Sequence, residues 1–179
     1  MSAPSFPALL QRFFTERLVT QQGASPHTVA GYRDTFRLLF RFAKARLRRE
    51  PSALRIEELD PAFLEAFLTH LEQERGNRTR TRNHRLSALH AFFRYVALAE
   101  PAVSLQCQRV LAIPTKRFER GPVEFLTEDE ATALVSAPAA STWIGRRDRA
   151  LLLLAVQTGL RNSEITSLRR QDVELGVGA

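Results

Sequence analysis

The stretch from Ser25 to Arg49 constrains the fold of this chain more than any other. Ser25-Pro26 is a helix start, a capping hydroxyl followed by a proline whose missing N–H costs nothing in the first turn. Beyond it, Val29, Tyr32, Phe36, Leu39, Ala43 and Leu47 recur at steps of three and four residues, the period of one buried face of an α-helix. Such a stripe is stable only against other apolar stripes, and the chain supplies them. Phe6 to Gln21 carries Leu9, Leu10, Phe13, Phe14 and Leu18 and stops at Gly23. Asp60-Pro61 opens a third helix with Phe63, Leu64, Phe67, Leu68 and Leu71 inward, ending near Gly76. A fourth holds Leu86, Leu89, Phe92, Phe93 and Val96, and Glu100-Pro101 ends it. Four amphipathic helices joined by short Pro/Gly breaks predict an all-α bundle over residues 1–101.

Residues 102–122, with Pro114, Gly121, Pro122 and the cations Lys116, Arg117 and Arg120, read as a linker. A second helical unit over 123–179 starts at Phe125-Leu-Thr-Glu-Asp-Glu, where Thr127 and Glu130 form a capping box. Its longer helix, within Trp143 to Gln157, is apolar nearly all round after Arg149 and is expected to be buried. Gly159 is a left-handed C-cap, with Arg161 on the turn beyond it.

Charge divides the chain in the same place. Residues 1–120 hold 20 Lys+Arg against 11 Asp+Glu, and residues 121–179 hold 6 against 8, so balances of +9 and −2 make up the net +7. Of 26 cations only Lys44 and Lys116 are lysines; arginine offers the flat, bidentate fork that grips phosphate. On the second helix Arg33, Arg37, Arg41, Lys44 and Arg48 repeat at helical period, with no acid from Thr35 through Arg49. At the head of the fourth, Arg75, Arg78, Arg80, Arg82 and Arg85 cluster without an acid and are expected to project beyond the bundle. These faces, with Lys116 and Arg117, point to a polyanionic partner, most often nucleic acid.

Other chemistry is thinly represented. Cys107 is the single cysteine, which excludes an internal disulfide framework and fits a reducing cytosol. The longest apolar run, Ala150 to Val156, is seven residues, far short of a membrane span. The first residues lack the pattern of a secretion signal, so a cytoplasmic location is expected. No Cys/His spacing suggests a metal, and no Gly-rich phosphate loop or GxSxG is present.

Two blocks resemble the tyrosine recombinase (phage integrase) family. SPHTVAGYRDTFRLLFRF with TRTRNHRLSALHAFFRYV is similar to its N-terminal core-binding domain. FLTEDEATALV followed by RDRALLLLAVQTGLRNSEITSLRRQDV resembles the start of its catalytic domain. The resemblance implies a four-helix SAM-like core-binding bundle followed by a mostly helical fragment of a recombinase catalytic domain. It implies DNA strand transfer through a 3′-phosphotyrosyl link, needing no metal, ATP or other cofactor. Arg161 would be the first phosphate-clamping arginine of that site, braced by Glu164.

The family's later lysine, His-x-x-Arg and tyrosine are not found in the 18 residues after Arg161. Tyr32 and Tyr95 lie on core stripes, and His27, His70, His84 and His90 all precede the linker. The expectation is therefore a truncated gene product or an excised fragment that binds DNA without cutting it and associates with recombinase subunits. The rival reading is a helical protein-interaction module that joins such subunits.

Overall fold

The computed structural model describes residues 5–119, 121–122 and 124–173. Its ordered elements are all helical, as the periodicity requires, and they divide into two units at Glu119/Arg120.

In the first unit, α1 (Phe6–Arg12) runs into a π-helical stretch, Phe13–Gln21. The sequence predicts one regular helix here, and the residues explain the difference. Phe6, Leu9 and Phe13 are buried at α-helical spacing, but the next buried residue, Leu18, comes five positions on. A turn widened by one residue keeps Phe13 and Leu18 on the same face, whereas a strict 3.6 period would rotate Leu18 away. α2 (Pro26–Leu47) begins where the sequence places it, with the Thr28 amide donating to Ser25 Oγ at 3.2 Å. It closes on Arg48 in the left-handed region at φ 53°. The Asp60 carboxylate caps α3 (Pro61–Gln73) by accepting from the Phe63 amide at 2.7 Å. α4 (Thr79–Ala99) is the central helix of the unit, burying Leu86, Leu89, Phe92, Phe93 and Val96 completely.

An aromatic cluster joins these helices. Phe92 meets Phe6, Phe13, Phe36 and Phe93 edge to face, with centroids 5.2 to 5.7 Å apart. This places hydrogen-bearing edges against electron-rich faces and ties α1, α2 and α4 together.

The bundle does not end at Pro101. A 3-10 turn at Pro101–Val103 leads into α5 (Ser104–Leu111), which packs on α4 and buries Cys107, Val110 and, just beyond it, Ile113. Gln106 Nε2 donates to the Ile56 carbonyl at 2.8 Å. The first half of the expected 102–122 linker is thus a fifth helix of the core. Cys107, Val110 and Ile113 carry its apolar stripe, which is too short to stand out beside the prolines and cations. Within that span Arg120 lies outside the described residues, as does Val123 just beyond it.

The second unit contains α6 (Glu128–Ser136), α7 (Trp143–Thr158) and α8 (Asn162–Ser167). Thr127 and Glu130 exchange their capping hydrogen bonds, Glu130 N to Thr127 Oγ1 at 3.3 Å and Thr127 N to Glu130 Oε2 at 2.8 Å. The Glu130 carboxyl is held below its ordinary pKa, first by the Thr127 backbone amide and then by its hydroxyl. Gly145 of α7 lies against the backbone of Ala139, where a Cβ has no room. The expectation of a buried α7 is not met. Leu151, Leu153 and Val156 are each exposed, and among the described residues Gly145 is the one buried residue of this unit.

Candidate nucleic-acid interface

The cations of α2 sit where the helical period puts them. Arg33, Arg37, Arg41, Lys44 and Arg48 are all exposed. Among the described residues, Arg33, Arg37, Arg41 and Arg48 form no ion pair, but Lys44 Nζ reaches Glu50 Oε1 at 2.7 Å. Glu50 follows the left-handed turn at Arg48, which folds the chain back; an acid outside the helix escapes a search for acids within it.

The cluster at the head of α4 divides. Arg78 and Arg80 are exposed. Arg82 is only 5% exposed, and its Nη1 donates to the Pro114 carbonyl at 2.9 Å and to Asn83 Oδ1 at 3.2 Å. Its Nε is buried with no hydrogen-bond partner. The Arg85 side chain is 15% exposed; its Nη1 donates to Gly31 O at 3.0 Å and Thr35 Oγ1 at 3.2 Å, and its Nη2 pairs with Asp34 at 3.4 Å. These two arginines therefore do not project beyond the bundle. They turn inward and lock α4 to its neighbours. The signal was present in the sequence: Arg82 lies four residues before Leu86, in phase with the stripe Leu86–Leu89–Phe93 rather than with a solvent face. The positive charge of these two is offset within the protein, by a carbonyl and by Asp34 of α2.

Lys116 is also engaged. Its ammonium pairs with Glu72 Oε2 of α3 at 2.7 Å. Its backbone is gripped from both sides by Asn83, whose Nδ2 donates to Lys116 O at 2.7 Å while Oδ1 accepts from Lys116 N at 3.0 Å. The Asn side chain pairs as a strand edge would. Arg82, Asn83 and Glu72 thus form a clasp on residues 114–116, which sequence reasoning missed because all its partners are more than 30 residues away. Arg117 is exposed.

His90 of α4 faces the α4–α5 contact. Burial pushes the imidazole below its ordinary pKa against a nearby Val110 backbone group that favours the charged form, and Arg94 and Arg82 push it further down. Its Nε2 is buried without a partner. The two tyrosines belong to the packing: Tyr32 stacks parallel to Phe13 at 6.4 Å, and the Tyr95 hydroxyl is buried with no hydrogen-bond partner.

In the second unit, Gly159 adopts φ 65° and its amide closes α7 on Ala155 O at 3.0 Å. This left-handed step sends the chain into α8 with Arg161 at its N-cap. Glu164 Oε2 accepts from the Arg161 amide at 2.7 Å, and Oε1 lies 3.3 Å from Arg161 Nη1. The Arg161 side chain is 83% exposed. Glu164 therefore fixes the backbone of Arg161 and engages one guanidinium nitrogen, while the rest of the fork faces solvent. Among the described residues no cluster of three or more His, Cys, Asp or Glu could hold a metal ion, and no helix is long and apolar enough to cross a membrane.

The first unit is all-helical with a cationic face, and the second carries an exposed arginine on a glycine-capped turn. The profile of the phage integrase N-terminal SAM-like domain matches residues 11–100, and that of the phage integrase family matches residues 124–179; the chain belongs to this family. An integrase/recombinase of Sinorhizobium fredii designated y4rC is 57% identical over 175 residues, covering 98% of this chain and 53% of the relative. A second from the same organism, y4rD, is 47% identical over 167 residues, 93% of this chain and 59% of the relative. The tyrosine recombinase XerC of Thermodesulfovibrio yellowstonii is 30% identical over 165 residues, 92% of this chain and 50% of that protein. The chain thus spans about half the length of the curated relatives it matches. No solved structure matches it.

Proposed function

We propose that this chain is the DNA-gripping portion of a site-specific tyrosine recombinase, the first unit being its core-binding domain. The observation that carries the proposal is the exposed set Arg33, Arg37, Arg41 and Arg48 along α2, without an ion pair among the described residues, together with exposed Arg78 and Arg80 at the head of α4. These are fixed to a rigid bundle and free to take phosphates. In the second unit the Arg161 fork, held by Glu164, would clamp the reacting phosphate and offset the charge that develops on it. Neither tyrosine of these 179 residues is placed to attack, since both are built into the packing of the first unit. The chain alone is therefore expected to bind duplex DNA in the cytoplasm without cutting it.

The test is the salt dependence of binding to a fluorescent duplex. If about five phosphates are neutralised, log K falls with log salt at a slope of about −4.5, and affinity drops about 500-fold between 50 and 200 mM salt. Binding that ignores salt, or no binding at 50 mM, refutes the reading.

A second reading, association with other recombinase subunits, is favoured by one observation: Phe125, Trp143, Ile144, Leu151, Leu153 and Val156 are all exposed on the second unit. Light scattering with and without duplex separates the two, since a subunit-joining module self-associates in the absence of DNA.

A further inference from the structure

Between α2 and the turn that joins α3 to α4 lies a polar cavity of about 180 Å³, whose polar lining is Asp34, Arg37, Arg41, Arg75, Asn77 and Arg85. The turn that completes it is stiff. Gly76 adopts φ 64°, a region that side chains other than glycine rarely enter, and the Asn77 amide closes back on Leu71 O at 3.0 Å. This holds Arg75 and Asn77 on either side of the glycine, facing the α2 arginines. Four guanidiniums therefore meet one carboxylate in a cavity that contains no other charge. The roles are unequal. Arg85 is committed to Gly31 O, Thr35 Oγ1 and Asp34 and supplies charge from behind. Arg37, Arg41 and Arg75 are exposed and, among the described residues, make no ion pair, so their donors are available.

We propose that this cavity is a seat for one phosphate group of the DNA backbone, gripped by Arg37, Arg41, Arg75 and Asn77. We propose also that Asp34 limits the strength of that grip. The proposal rests on the DNA-binding reading above and extends it to two residues that the helical stripes do not contain, Arg75's turn position and Asn77, and to an acid of opposing effect. A forked arginine pair on adjacent helical turns with an amide donor opposite matches the tetrahedral oxygens of a phosphate. Asp34 is 57% exposed and lies against the same guanidinium wall, so an incoming phosphate meets a like charge there. A recombinase that must search along DNA and release its product gains from a phosphate seat that is not too tight.

The test uses the full chain. Duplex affinity is measured by fluorescence anisotropy from 50 to 300 mM salt for the parent protein, for Arg75→Ala with Asn77→Ala, and for Asp34→Asn. The double variant should bind more weakly, with a salt slope about 0.9 shallower, one phosphate's worth. Asp34→Asn should bind about twofold to fivefold more tightly at low salt, the range of a single exposed charge interaction. A parallel arm follows the thermal midpoint with inorganic phosphate, which should raise it for the parent protein and not for the double variant. An unchanged slope in the double variant overturns the seat as a backbone contact, even where phosphate alone still protects, because the cavity then takes free anions instead. Weaker binding by folded Asp34→Asn overturns the role given to that carboxylate. If the parent protein binds no duplex, the proposed function falls, and the phosphate arm by itself decides whether the cavity holds the anion.

Discussion

Replacing Arg82 and Arg80 separately by alanine should give opposite phenotypes, although the two arginines stand two residues apart in one basic run. Arg82→Ala removes a charged hydrogen bond of 2.9 Å to Pro114 O from a side chain almost wholly buried. Hydrogen bonds to charged groups contribute about 1.5–3 kcal/mol. Two effects reduce the loss: the buried Nε has no partner, so its desolvation cost is recovered, and the exposed Pro114 can turn its carbonyl to water. A net destabilisation of about 2 kcal/mol follows. For a unit of this size each kcal/mol shifts the midpoint by about 4 °C, so Tm should fall by about 8 °C. Arg80→Ala removes an exposed side chain and should change stability by less than about 0.5 kcal/mol. In duplex binding the order reverses: Arg80→Ala should flatten the salt slope by about 0.9, while folded Arg82→Ala leaves it unchanged. The assays are thermal unfolding by circular dichroism and anisotropy titration at several salt concentrations. An Arg82→Ala protein as stable as its parent, with a flattened salt slope, would refute the inward role given to Arg82.

Asn83→Ala should free the backbone of Lys116, seen as faster hydrogen exchange at the Lys116 amide and faster tryptic cleavage after Lys116 and Arg117; unchanged exchange would show that the clasp holds nothing. Phe92→Ala leaves a hole bordered by Phe6, Phe13, Phe36 and Phe93 and should cost about 3–5 kcal/mol, read by urea denaturation, with a loss under 1 kcal/mol contradicting the packing described. Because the folded protein holds His90 below its ordinary pKa, the unfolded chain binds the proton more readily. Stability from the neutral imidazole is then complete above the unfolded value of about 6.5 and is lost as pH falls from there through the folded value. His90→Gln should flatten the pH dependence of urea stability in that window, and an unaltered profile would assign the loss to other groups.

The sequence by itself determined α2, α3 and α4 and their inner faces. Capping at Ser25, Asp60 and Thr127 and the apolar steps along α2, α3 and α4 are short-range patterns, written within a few residues of where they act. The family was legible for the same reason, in TGLRNSE and the blocks around it, and so was the place of Arg161 on a glycine-capped turn. What only the tertiary structure decided was the partner of each charge. Arg85, Lys44 and Lys116 look like Arg37, Arg80 and Arg117 along the chain, and the phase of Arg82 with the apolar stripe gives its face but not its partner. They differ because Pro114, Asp34, Glu50 and Glu72 arrive beside them through folding. The same holds for α5, whose three buried residues are recognised as core only once α4 lies against them. The apolar stripes of α2, α3 and α4 announce that they will be covered, since water is a poor partner for them anywhere. A cation is satisfied equally by water, a carbonyl, a carboxylate or a phosphate, and only the three-dimensional arrangement selects among them.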